Sequence, residues 1–217
     1  MKKCIIVANG ELPPKSIFRY LIRFGYNYLI CADGGANVLF TYKIRPDVII
    51  GDFDSILPDV LKYYKETVKI IEIKNHNNTD VEKALDYAIN KGFEEAILLG
   101  GAGDRLDHTI CNFSIILKYF KKINVLLLHD ESILIPITGK NIFKATNNEI
   151  FSIYGFDKKT KIKSKGLKYP LDNIAVTFGE KESTSNVAID EVVEMTVKGG
   201  VAFLIRNFQN HFNNFYK

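Results

Sequence analysis

The chain has no tryptophan, two methionines and three cysteines among its 217 residues. Cys4, Cys31 and Cys111 are odd in number and scattered, and no CxxC pair occurs. That excludes a disulfide-stapled scaffold and a thiolate zinc site, and it suits buried thiols in a reducing compartment. No apolar run approaches the roughly 20 residues that cross a bilayer. Met1-Lys2-Lys3 and the apolar residues 4–8 open like a secretory signal, but Asn9-Gly10-Glu11 cut the stretch short. The expectation is therefore a first strand, a cytoplasmic protein and no membrane partner. A strong charge imbalance is missing too: 29 basic against 25 acidic residues leave +4, which suits a small anionic substrate and is too weak to argue for nucleic acid. Neither a G-x-G-x-x-G dinucleotide fingerprint nor the Gly-Lys-Ser/Thr of a Walker A loop occurs.

What is present is an ordinary globular composition, 47% hydrophobic and 25% charged, on a chain long enough to bury a core without staples. The first half alternates strand-like and helix-like runs. Strands are expected at residues 4–8, 28–32, 47–50, 68–73, 96–99 and 123–128. Helices are expected at 13–24, 35–42, 58–64, 79–91 and 105–120, with Ile17, Leu21 and Phe24 on the core stripe of the first. In the last helix the core stripe is Leu106, Ile110, Phe113 and Leu117. Near-continuous apolar strands in βα alternation predict a parallel sheet covered on both faces. After about His129 only short β-like runs follow, at 132–137, 149–154, 174–177, 192–197 and 201–205, with no helical period. Lys198-Gly199-Gly200 reads as the turn of a hairpin joining the last two. The fold class expected is an N-terminal parallel-sheet α/β domain, residues 1–130, followed by a C-terminal all-β sandwich domain, residues 131–217. The lysine-rich tract at residues 158–168 reads as a solvated turn and strand edge.

Acidic residues gather where the strands of the first half end. In open α/β sheets ligands bind at the carboxyl ends of strands. Carboxylates collected there repel one another unless a cation sits between them, and Mg²⁺ with a nucleotide polyphosphate fits that role. In Gly51-Asp52-Phe53-Asp54-Ser55 the two aspartates, two apart in an extended segment, would converge on one cation while Phe53 turns into the core. In Ala32-Asp33-Gly34-Gly35-Ala36-Asn37, Asp33 either caps the following helix or flanks an anion-binding turn. Thr79-Asp80-Val81-Glu82 reads as a capping box, and Asp80 gains a second role only from its place near Asp52. Residues 100–108 form a strand, glycine turn and helix. There backbone N–H groups can cradle phosphate, Arg105 can clamp it, and Arg105, His108 and Asn112 share a helix face. Asp104 and Asp107 can also serve as helix caps. His76, His129 and His211 have no metal-ligand spacing. In the second half, residues 166–171 read as a turn and 183–186 as a polar loop, with Tyr169 available for stacking.

Taken together, the ordered segments ADGGAN, GDFDS, TD-x-E-x-A-L, GG-x-x-x-R-x-DH, GLKY-x-L and TSN resemble the thiamin pyrophosphokinase family. The resemblance runs from Asp33 to Asn186 and implies an α/β domain for Mg-ATP and a β-sandwich domain for thiamin. It implies Mg²⁺ held by Asp52, Asp54 and Asp80, and Asp33 beside the phosphates or the substrate hydroxyl. Arg105, Asp107, His108 and Asn112 would contact ATP. Tyr169 would stack on thiamin, with Ser185 and Asn186 bonding its pyrimidine. It further implies a homodimer with active sites at the subunit interface. Asp104 stands where many members carry glycine, and Tyr169 takes the place of the family's ring-stacking aromatic in a chain without tryptophan. The implied reaction moves the pyrophosphoryl group of ATP to the thiamin hydroxyl, leaving AMP, with Asp33 or Asp54 as proton acceptor and Arg105 stabilising polyphosphate charge. Two other readings compete: a DxD metal-dependent nucleotide-sugar transferase, and a non-catalytic thiamin or nucleotide sensor.

Overall fold

A computed structural model of the chain describes residues 1–75 and 77–213; His76 lies outside them. The chain divides into two compact units, Met1–Asp130 and Glu131–Lys217. No helix among the described residues is long and apolar enough to cross a membrane.

The first unit runs β1 (Lys3–Val7), α1 (Ser16–Ile22), β2 (Leu29–Ala32), α2 (Gly35–Thr41), β3 (Val48–Gly51), α3 (Pro58–Lys65), β4 (Lys69–Glu72), α4 (Asp80–Asn90), β5 (Glu95–Leu99), α5 (Leu106–Tyr119) and β6 (Asn124–His129). The strands pair in parallel in the order β6-β5-β1-β2-β3-β4. β2, β3 and β5 are buried at every position, as apolar runs covered on both faces must be. β4 ends the sheet and places Lys69 and Glu72 outward, where charge discourages edge pairing.

The order in which strands are added reverses at β1, between β2 on one side and β5 on the other. From β1 the order steps through β2, β3 and β4; α4 then returns across the sheet to β5, on the other side of β1. The loops after β1 and β5 stay in contact, Gly10 N donating to Gly100 O (2.9 Å), and together they line the carboxyl edge, the place where such sheets bind ligands. At the opposite edge the strands are locked. Glu95, buried at the start of β5, accepts hydrogen bonds from Tyr26 Oη (2.6 Å) and Asn124 Nδ2 (2.8 Å) and pairs with Lys3 Nζ (3.2 Å).

α4 carries the predicted capping box. Thr79 Oγ1 accepts from Glu82 N (3.2 Å), Glu82 Oε2 accepts from Thr79 N (2.9 Å), and Gly92 follows the helix at φ +75°. Glu82 Oε1 also accepts from Lys118 of α5 (2.6 Å). The core stripe of α5 differs from the expected one. Leu106 and Ile110 are exposed, and Asn112, Ile115, Ile116 and Tyr119 are buried. A buried asparagine in the inward row hides the true stripe from a hydrophobic count. In α1 the buried residues are Phe18 and Leu21. Cys4 and Cys31 are buried as expected, but Cys111 is exposed on α5.

The second unit is β-rich: β7 (Ser132–Lys144), β8 (Ile150–Gly155), β9 (Lys161–Lys165), β10 (Ser183–Val187), β11 (Val192–Asn207) and the short helix α6 (Phe208–Asn213). The helix is unanticipated. The expected hairpin at residues 192–205 is instead one strand. β11 pairs with β7 antiparallel along its length, with a register shift between Val197 and Ala202. Its first half also pairs with β9 and its second half with β8, which carries β10. Gly199, at φ +84°, makes a bulge where turn chemistry was read, and a long strand bulged in this way can change its outer partner from β9 to β8. Residues 174–177 form only isolated bridges, Ile162 with Ile174 and Gly155 with Thr177. In the core of this unit, buried Arg206 pairs with buried Glu149 (Nε to Oε1, 2.7 Å), with its guanidinium 4.7 Å from the Phe151 ring centroid.

Candidate active site

Four segments at the carboxyl edge of the first unit's sheet line a cleft of about 710 Å³: residues 8–10 after β1, Asp33 and Gly34 after β2, the acidic turn after β3, and the glycine turn 100–105 after β5. The first turn of α4 adds Asp80 and Lys83.

Asp33 leaves β2 at φ +39°, and its N–H donates to Ile50 O (2.9 Å), so the ends of β2 and β3 are laced together. A Cβ at Gly51 would lie 2.7 Å from Asp33 Cβ, which is why only glycine ends β3 there. The Asp33 carboxylate does not cap α2. It accepts from Ser55 N (3.1 Å) and Ile56 N (3.2 Å), holding the acidic turn. Asn37 clasps the same turn from α2: its Nδ2 donates to Ser55 O (3.0 Å) and its Oδ1 accepts from Leu57 N (2.9 Å). Asp33 is 1% exposed. Burial raises its pKa to about 6 against the lowering effect of the Ser55 N–H bond, and the charges of Asp80 and Asp54 add to the rise.

One oxygen from each of Asp33, Asp52 and Asp80 lies within 4.8 Å of the others. Three carboxylates in that space form a hard-oxygen donor set suited to Mg²⁺. Asp54 lines the same cleft and lies against Asp33, but it falls outside the trio; it is exposed and its Oδ1 accepts from Ser55 Oγ (2.7 Å). The i, i+2 geometry expected of Asp52 and Asp54 requires an extended segment. Phe53 sits instead at φ +66° in a bend, half-buried, so the segment is not extended, although both aspartates line the cleft.

Sequence reasoning passed over Lys83. Its ammonium lies 2.8 Å from Asp80 Oδ1 and 3.2 Å from Asp52 Oδ2, and the residue is 4% exposed. Burial alone would pull this lysine down, but hydrogen bonds to Asp80 and Asp52 outweigh it and hold it above the ordinary range. Burial likewise favours the acid form of Asp52, and the Lys83 bond reverses the balance, leaving Asp52 below the usual carboxylate range. The signal was available: Lys83 stands three residues after Asp80, one helical turn along the same face.

On the glycine turn, Asn112 Nδ2 donates to Gly101 O (2.8 Å), so Asn112 braces the turn from inside. Arg105 and Asp107 are exposed and form a bidentate pair (3.2 and 2.5 Å); neither Asp107 nor Asp104 caps α5, whose N-cap is Arg105. Arg105 and His108 line the cleft.

The chain matches the family model for the thiamin pyrophosphokinase catalytic domain over residues 24–127. It matches the thiamin pyrophosphokinase vitamin B1 binding domain over residues 141–202. The chain belongs to the thiamin pyrophosphokinase family. It is accordingly an enzyme of the diphosphokinase type, and the nucleotide-sugar transferase and sensor readings are not favoured. Thiamine pyrophosphokinase 3 of Oryza sativa subsp. japonica is 30% identical, covering 89% of this chain and 82% of its own length. Thiamine pyrophosphokinase of Bacillus subtilis (strain 168) is 27% identical, covering 95% and 99%. The crystal structure of thiamine pyrophosphokinase from Bacillus subtilis superposes with a TM-score of 0.81 at 25% identity, covering 95% of this chain and 99% of that one.

The vitamin B1 binding match includes all three residues assigned to thiamin from the family pattern. Tyr169 is 62% exposed on the 166–171 turn. Asn186 is buried, and its amide is engaged within the chain: Oδ1 accepts from Tyr169 N (3.1 Å) and Val187 N (2.9 Å), and Nδ2 donates to Tyr169 O (2.7 Å). It holds the backbone of Tyr169 in place. Ser185, at φ +54° beside the irregularity in β10, is exposed and donates its N–H to Ser152 Oγ (3.0 Å).

Proposed function

We propose that the chain transfers the terminal diphosphoryl group of ATP to the hydroxyl of thiamin, giving thiamin diphosphate, AMP and a proton, with Mg²⁺ as cofactor. The observation that carries this reading is the Asp33, Asp52 and Asp80 trio facing the glycine turn across one cleft, in a chain of this family. When bound, Mg²⁺ would neutralise polyphosphate oxygens and polarise the β-phosphorus for in-line displacement. Asp52 and Asp80 would hold it, with Asp33 completing the set; Asp54 is the outer member. The backbone N–H groups of residues 100–105 would receive the polyphosphate, and Asn112 keeps that turn in shape. Arg105 would turn from Asp107 to the phosphates, a bidentate exchange of one oxyanion for another. His108, on the same helix face, would flank the nucleotide. Asp54, exposed at the cleft, is better placed than hydrogen-bonded Asp33 to accept the hydroxyl proton.

In the second unit, Tyr169 would stack on the thiamin ring and Ser185 would supply a hydrogen bond. Tyr169→Ala should raise the KM for thiamin roughly tenfold, about 1–1.5 kcal/mol of stacking, with kcat for bound substrate nearly kept. Asn186→Ala should reproduce that KM effect by releasing Tyr169; steady-state kinetics at saturating ATP checks both. A homodimer belongs to the same reading, tested by light scattering. So does a cytoplasmic location, which the three free thiols support. The direct test is incubation with ATP, Mg²⁺ and thiamin followed by chromatographic separation. Thiamin diphosphate and AMP in equal amounts are expected; ADP with thiamin monophosphate would contradict attack at the β-phosphorus.

A further inference from the structure

The acidic trio contains a cation of its own. Lys83 is buried, and its Nζ sits within hydrogen-bond distance of Asp52 and Asp80, two of the three carboxylates that meet within 4.8 Å. A lysine with almost no contact with water depends on those two anions for stability. The same carboxylates would coordinate a divalent ion. Ammonium and dication therefore compete for one donor set, and a dication seated beside an unmoved ammonium meets strong repulsion in a partly desolvated cleft. The glycine turn lies across the same cleft, where a polyphosphate would bring fresh anionic oxygens.

We propose that Lys83 is the resident counter-ion of the acidic cluster. Its charge holds Asp52 and Asp80 together and suppresses the binding of a free divalent cation. It gives up the carboxylates when metal arrives with a nucleotide polyphosphate to which the ammonium can turn. This rests on the metal-nucleotide reading above and adds an order to it: the ion enters with its nucleotide. Lys83 is in this sense a positioning residue, and its signature is a gain of affinity on removal, which a purely structural lysine does not give.

The probe is Mn²⁺, followed by the paramagnetic resonance signal of the free ion, with and without an α,β-methylene analogue of ATP. The native chain should bind Mn²⁺ alone weakly and Mn²⁺ with the analogue much more tightly. Lys83→Met should bind Mn²⁺ alone at least tenfold tighter than the native chain, and Lys83→Gln should behave alike. Lys83→Arg keeps the charge and should bind no tighter than native. Neutral variants that fold only in the presence of Mn²⁺ also support the proposal. Neutral variants that bind Mn²⁺ equally or more weakly overturn it, as do variants that stay unfolded with both Mn²⁺ and the analogue. If the native chain fails to bind Mn²⁺ even with the analogue, the metal reading itself falls and this proposal with it. A native chain that binds the pair while Lys83→Met shows no gain sinks the counter-ion role alone.

Discussion

Asp80→Asn should lower kcat/KM by about a thousandfold while leaving the fold intact. The substitution keeps the shape of the side chain and the first turn of α4, whose cap is built from Thr79 and Glu82 rather than Asp80. It removes one of three charges from the cluster. A thousandfold loss corresponds to about 4 kcal/mol of transition-state stabilisation, the scale on which a misassembled metal site acts. Lys83 would keep its bond to Asp52 but lose half of its charge partners, so Mn²⁺ affinity in the presence of nucleotide should fall with the rate. Asp54→Ala offers the contrast. Asp54 lies outside the trio, so metal affinity should stay within a few-fold while kcat drops. Kinetics beside circular dichroism decides the matter, and near-native turnover by the Asp80 variant would remove the cluster from the mechanism.

The second large effect is a pH slope that resides in Asp33. Burial, the largest cause, raises the pKa of this carboxyl from 3.8 to about 6. The sign follows from linkage. Between these values the folded chain binds more protons than the unfolded one, so the group's contribution to stability is fully present below 3.8 and is lost as pH rises through 6. Over that interval the loss is on the order of 3 kcal/mol. Melts without divalent ions should thus show the native chain losing stability from pH 4 to 6.5, relative to Asp33→Asn, in which this component of the slope vanishes. Asn presents one acceptor where Asp33 presents two, to Ser55 and Ile56, so the variant also gives up a bond. The slope, and not the absolute melting temperature, is the readout. Its activity should fall by at least a hundredfold, because the cluster has lost a charged donor. Parallel slopes in the two proteins would show that Asp33 titrates in its ordinary range.

The α/β half was legible because its strands are buried on both faces and its helices carry local punctuation. The Thr79–Glu82 box and Gly92 are signals that no tertiary context needed to supply. The β half was legible only in outline. β9 and β10 read KIKSK and STSNV, without the apolar alternation that marks a half-buried strand. Gly199-Gly200 looks like a turn in one dimension; it becomes a bulge because β7 runs beside β11 for the whole of its length, a non-local fact. In the site, residue types were readable and directions were not. Phe53 at positive φ bends the segment between Asp52 and Asp54, and no local pattern announced it. Asn112 and Asn186 read as ligand contacts because they sit in the right segments; what no local pattern gives is that both amides also brace backbone, at Gly101 and at Tyr169, while Asn112 lines the cleft as well. Lys83 was hidden by the ordinary expectation that a lysine on a helix is solvated.

On the metal reading proposed above, the double clasp of Asn37 on the acidic turn sets how a cation would be met. With Ser55 and Leu57 tied to α2, and Ser55 and Ile56 also tied to Asp33, the turn has little freedom left to lose. Capture of an ion there need not be preceded by a disorder-to-order step, and little conformational entropy is charged against it. Selectivity among ions then rests on size: a cage held at fixed width favours a small, strictly octahedral cation over a larger one that tolerates irregular surroundings.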